Sequence, residues 1–151
     1  MLTAVLKQAD LMTLAESLDL PEGEVSAVKA MWTQYRLEAH GTSIDGVQIH
    51  WHATQRPIQI RSGPPLAGEI EETLEHLPDS NEAGAARVRA HIRAARHVVE
   101  FEMGIDGSQH LAATIGEVLA FFLAEAGDGI VWFYSREFAS PEDRGATLWQ
   151  P

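Results

Sequence analysis

The strongest constraint on this chain lies between residues 109 and 134. Leu111, Ile115, Val118, Leu119, Phe122 and Ala126 recur at helical spacing, which predicts a helix over residues 109–126 with an apolar face. Gly127-Asp128-Gly129 follows as a stop and a turn. Ile130-Val131-Trp132-Phe133-Tyr134 is then an unbroken apolar run bounded by glycine, the pattern of a strand buried on both faces. A long apolar helix feeding directly into such a strand forces helices and strands to share a core. The chain has 151 residues, 45% of them hydrophobic, enough for one such core.

Other segments fit the same frame. Leu6, Leu11, Leu14, Ala15 and Leu18 mark a first helix, broken at Pro21. Val25, Val28, Trp32, Tyr35 and Ala39 step by three or four and predict a second, ending at His40-Gly41. The period then changes. Val47, Ile49, Trp51 and Ala53 alternate with Gln48, His50, His52 and Thr54, which predicts a half-buried strand. Pro57 interrupts, Ile58 and Ile60 resume the alternation, and Ser62-Gly63-Pro64-Pro65 ends the segment.

Leu66, Ile70, Leu74 and Leu77 share one face of a short acidic helix, and residues 82–96 read as another helix rich in alanine and arginine. Val99, Phe101 and Met103 alternate along a strand, and Asp106-Gly107-Ser108 supplies a turn and a helix N-cap. The expected order is α-α-β-β-α-α-β-α-β, an α+β single domain with helices packed mainly on one face of a mixed sheet. It divides into a helical pair over 1–40, the sheet and its helices over 44–138, and a tail over 139–151. Strand–helix–strand order between Arg96 and Tyr134 predicts a right-handed parallel crossover.

Charge narrows the function. There are 22 acidic and 11 basic residues, a net charge of -11. Such a surface repels nucleic acid and anionic membranes and attracts a basic protein. The absence of cysteine removes disulfides and thiolate metal sites and fits a reducing, cytoplasmic compartment. The first twenty residues carry Asp10, Glu16 and Asp19 without a small-residue cleavage site, so they do not read as a secretory signal. No run reaches the ~18 apolar residues of a membrane span.

Three clusters are candidates for chemistry. His50 and His52 lie at i and i+2, so they share one face of a strand and are candidates for a metal, with His40, His97 or His110 as a third ligand. Exposed histidines are the plainer reading, because the alternation turns Trp51 inward and both imidazoles outward. Arg89, Arg93 and Arg96 share a helix face that either holds an anion or pairs with the neighbouring acidic helix. Glu69, Glu71, Glu72, Glu75 and Asp79, with Glu82, gather six acids without a basic residue among them. No phosphate loop, Walker lysine or nucleophile elbow is present. Glu100 and Glu102 share a strand face as a pair of carboxylates.

The segments HVVEFEMGID and LAATIGEVLAFFLAEAGDGIVWFYSREF, within residues 96–138, resemble the closing portion of small bacterial immunity proteins that neutralise polymorphic toxins. That resemblance implies a binding protein rather than an enzyme, needing no cofactor and covering the active site of a cognate basic toxin. On this reading Glu69, Glu71, Glu72, Glu75 and Asp79 make the electrostatic contact, and Trp51 or Trp149 anchors it. Two other readings compete: a small-ligand binder or enzyme using His50, His52 and the Arg89/Arg93/Arg96 face, and a non-catalytic adaptor that buries an apolar patch in a homodimer.

Overall fold

The computed structural model describes residues 21–23, 25, 26, 30, 36–41, 45–50, 54–103, 110–133 and 137–151. The first predicted helix, Trp32, Trp51, His52 and the Asp106-Gly107-Ser108 cap lie outside them. The chain is α+β. Its elements are β1 (Arg36–Gly41), β2 (Asp45–His50), β3 (Ile58–Gly63), α1 (Glu69–His76), α2 (Ala83–Ala94), β4 (Val98–Glu102), α3 (His110–Ala126), β5 (Val131–Phe133), β6 (Glu137–Ser140) and β7 (Asp143–Trp149). Residues 22, 23, 25, 26 and 30 are helical.

The strands form two sheets, ordered β1-β2-β3-β4 and β5-β6-β7. The chain falls into two compact units, residues 1–63 with 99–120 and residues 64–98 with 121–151.

In the first unit the period-two pattern works as expected. β2 pairs antiparallel with β3 so that Val47 meets Ile60 and Ile49 meets Ile58. All four are at most 2% exposed. A slip of one residue would turn all four to the other face, so burial fixes the register. Pro57 stands just before β3 and costs no ladder bond. β4 joins at the edge opposite β1, with Glu102 bonded to Arg56 at 2.6 Å and 3.7 Å from Arg61. Glu102 is thereby ion-paired with arginines rather than paired with Glu100 as an acid couple.

One expectation fails here. Arg36–Gly41 is a strand, not the end of the second helix, and pairs antiparallel with β2 from Arg36↔His50 to Gly41↔Asp45. Leu37, Glu38 and Ala39 are good helix formers, but intrinsic preferences of a few tenths of a kcal/mol per residue yield to sheet pairing.

α3 matches its predicted span, yet it is buried on more than one face. Ala112, Thr114, Ile115, Gly116, Val118, Leu119, Phe121 and Ala124 are all buried. At 100° per residue these positions surround most of the helix, which leaves little of it to solvent.

The second unit corrects two further expectations. β4 and β5 belong to different sheets, so no parallel crossover joins them. The expected tail from residue 139 instead completes β6 and forms β7, closing an antiparallel meander with β5. Ser140 pairs with Asp143 around Pro141-Glu142, and Ser140 Oγ accepts the Glu142 N–H at 3.3 Å. Local hairpins close short loops and cost less entropy than a long crossover. α2 covers one face of this sheet: Ala85 and Val88 pack with Leu77, Phe138 and Trp149 in one cluster. Phe121 of α3 meets Phe133 of β5 at 5.5 Å between ring centroids.

The Gly-Asp-Gly segment ends the helix as expected. Gly127 N–H donates to Leu123 O at 3.0 Å and Gly129 N–H to Ala124 O at 2.6 Å. Asp128, not a glycine, takes the left-handed conformation, with φ 51°.

Candidate partner-binding surface

Helix α1 begins without a side-chain cap. Gly68 takes φ 85° at its N-terminus, a conformation only glycine adopts freely. Glu69 reaches back and accepts the Leu66 N–H at 2.6 Å. Glu69, Glu71 and Glu72 stand in the first turn, where carboxylates oppose the positive end of the helix dipole. Thr73 Oγ1 donates to Glu69 O at 2.7 Å.

The helix is held loosely. No residue of α1 is buried. Ile70 and Leu74 are half-buried, and Leu66, just ahead of the helix, is 71% exposed. The predicted apolar stripe is thus only partly covered, and Leu77 alone enters the core. Glu71, Glu72 and Glu75 are exposed and make no ion pair with any described residue.

The arginines of α2 do not neutralise this patch. Arg89 spends its guanidinium on backbone, donating to Leu77 O at 3.4 Å and to Pro78 O. It lies 5.6 Å over the Trp149 ring, with its side chain 15% exposed. Asp79 comes no closer to it than 4.0 Å and is fully exposed. Arg87 pairs instead with Glu142 at 3.1 Å. Arg93 is exposed, Arg96 stands beyond the end of α2 at Ala94, and Arg89 is turned inward, so the three do not form the open anion-binding face the helix pattern suggested.

Two aromatic expectations change. Trp149 is 4% exposed and stacked on Phe138 at 6.0 Å. It is core and not free to act as an interface anchor, because β7 packs it beneath α2. Conversely Trp132, expected in a strand buried on both faces, is 42% exposed. Among the described residues β5 lies at the edge of its sheet, and Trp132 stacks on Phe138 at 5.0 Å while staying open to solvent. An uninterrupted apolar run carries no signal to distinguish an edge strand from a central one.

His50 is half-buried on β2, while His97 is exposed. Among the described residues no group of three or more histidine or acidic side chains is placed to hold a metal ion. No helix among them is long and apolar enough to cross a membrane. No protein-family model, curated protein or solved structure matches the chain.

Proposed function

We propose that this protein is a cytoplasmic inhibitor of the immunity type, which binds a basic protein toxin and presents helix α1 to it. The observation that carries the reading is the state of that helix. It buries no residue, follows an exposed Leu66, and turns Glu71, Glu72 and Glu75 outward. Acids compensated within the fold would have no field left to steer a partner. These make no ion pair with a described residue, and the whole chain carries a net charge of -11. Complementary charge raises association rates and discriminates among partners.

The test is co-expression with the product of the adjacent reading frame. A stable complex, and rescue of cells from that product, are expected. Replacing Glu69, Glu71, Glu72 and Glu75 by glutamine should slow association by roughly 10- to 100-fold at low salt, with the difference shrinking as salt rises. Failure to protect cells, or unchanged association by the four-glutamine variant, would refute the reading.

A further inference from the structure

Each edge strand whose side chains are described meets solvent differently. β4 carries exposed Glu100 and Glu102, the latter held by Arg56 and Arg61; charges of this kind blunt an edge. β7 is irregular against β6, with register shifts on either side of Ala139, and the first turn of α2 sits against Leu148 and Trp149. β5 has neither device. It is Val131-Trp132-Phe133, without charge, proline or register shift, and among the described residues its strand partner is β6 alone. An edge strand leaves a row of backbone groups open to another chain.

Trp132 makes this edge a prepared surface. Its ring lies 14° from parallel to Phe138 at 5.0 Å, and Phe138 lies 15° from parallel to Trp149 at 6.0 Å. Arg89 stands against Trp149, at the far end of the stack. The inner members are 1% and 4% exposed, whereas Trp132 is 42% exposed. A ring fixed on a rigid column loses little freedom when a partner covers it, and tryptophan is enriched among residues that dominate binding energy.

The local charge selects the occupant. Residues 121–137 hold three acids, Glu125, Asp128 and Glu137, against one arginine, Arg136, and Glu137 pairs across from Phe133. The unit formed by residues 64–98 and 121–151 holds 11 acids (six and five in its two segments) against 6 arginines (four and two). A second copy of this chain would bring the same sign of charge to the same edge.

We infer that the outer edge of β5 accepts an extended, lysine- or arginine-bearing segment of the partner protein as an added strand, with an apolar side chain of that segment seated on Trp132. This mode takes affinity from main-chain hydrogen bonds and specificity from alternate side chains. It deepens the basic-partner reading and rests on it for the partner's charge.

The probe is a blocked ten-residue peptide alternating valine and lysine, with a valine–glutamate peptide as comparison, titrated into the full chain and followed by amide chemical shifts and hydrogen exchange. The lysine peptide should shift and protect amides of Val131–Phe133, and the glutamate peptide should bind at least tenfold more weakly. Trp132→Thr, which places a β-branched residue in the strand, should weaken lysine-peptide binding about tenfold or more. The same four-glutamine α1 variant should retain it within a few-fold, so loss of the toxin complex with peptide binding intact would separate the α1 contact from the β5 edge and leave the edge standing. Equal binding of both peptides, absence of any change at Val131–Phe133, or sedimentation as a dimer that protects those amides without peptide would overturn the inference.

Discussion

Gly84→Ala tests the packing of α2 on β7, and two opposing terms decide its sign. Glycine inside a helix costs about 1 kcal/mol relative to alanine, so on helix preference alone the substitution stabilises. The structure reverses this. A Cβ on Gly84 would overlap the carbonyl oxygen of Leu148, and would stand 3.1 Å from its carbonyl carbon and 3.3 Å from Trp149 Cβ. The obstacle is backbone, which cannot rotate away as the end of a side chain can. The first turn of α2 must therefore lift from β7. Ala85 and Val88 lie on the same helix and pack with Phe138 and Trp149. A gap of roughly 0.5–1 Å forfeits a quarter to a half of each dispersion contact it opens. Overpacking costs about 1–3 kcal/mol, and a backbone obstacle belongs at the top of that range.

Subtracting the helix gain leaves a net loss of about 2 kcal/mol. For a chain of this size that is a fall of about 4–8 °C in Tm. Thermal and urea unfolding followed by circular dichroism and tryptophan fluorescence measure it. Gly23→Ala is the control: Gly23 is helical and exposed, and a Cβ placed there would meet no atom of the described residues within 4 Å. That variant should be neutral or gain up to about 1 kcal/mol. If Gly84→Ala is as stable as wild type, α2 does not rest on β7 in the way described.

Arg89→Met should cost about 2 kcal/mol in urea unfolding, because it strips charged donors from the carbonyls of Leu77 and Pro78 while leaving an apolar stem near Trp149; a loss under about 0.5 kcal/mol would contradict that role. Asp128→Gly should stabilise by about 0.5–1 kcal/mol, since it relieves a left-handed non-glycine residue and removes a carboxylate from the C-terminal end of α3. The His91 contact, made to the Asp128 carbonyl at 2.8 Å, survives that change, so a lower Tm would refute the account.

How much of this is legible in the sequence depends on whether local pattern or distant pairing decides a segment. Val47, Ile49, Ile58 and Ile60 announce their strands because alternation is a property of the residues themselves. α3 is legible for the same reason, and its Gly-Asp-Gly end follows from the chemistry of that tripeptide. β7 is different. Asp143-Arg144-Gly145 has little strand preference, and the strand exists because β6 and α2 receive it. β1 likewise depends on β2, which a helical spacing through residue 39 does not reveal. Sheet membership is least legible of all: strand, helix, strand is the same order whether two strands share a sheet or, like β4 and β5, do not.

The acidic surface is legible as composition, but its meaning depends on where the arginines go. Part of it has a purely structural explanation. Glu69, Glu71 and Glu72 occupy the first turn of α1, where each carboxylate contributes about 0.3–1 kcal/mol to the helix, and Glu69 also bonds the Leu66 N–H. Glu75 has no such role. It stands in the last turn, where a negative charge is unfavourable, three and four residues beyond Glu72 and Glu71, and like charges at those spacings cost about 0.2–0.5 kcal/mol per pair. Asp79 is fully exposed at the limit of contact with an arginine already engaged by two carbonyls. Stability therefore accounts for the first three acids and leaves Glu75 and Asp79 unexplained. The basic partner proposed above would give those two a reason, and Leu66, exposed ahead of the other end of the helix, is an apolar side chain of the kind such a partner would bury.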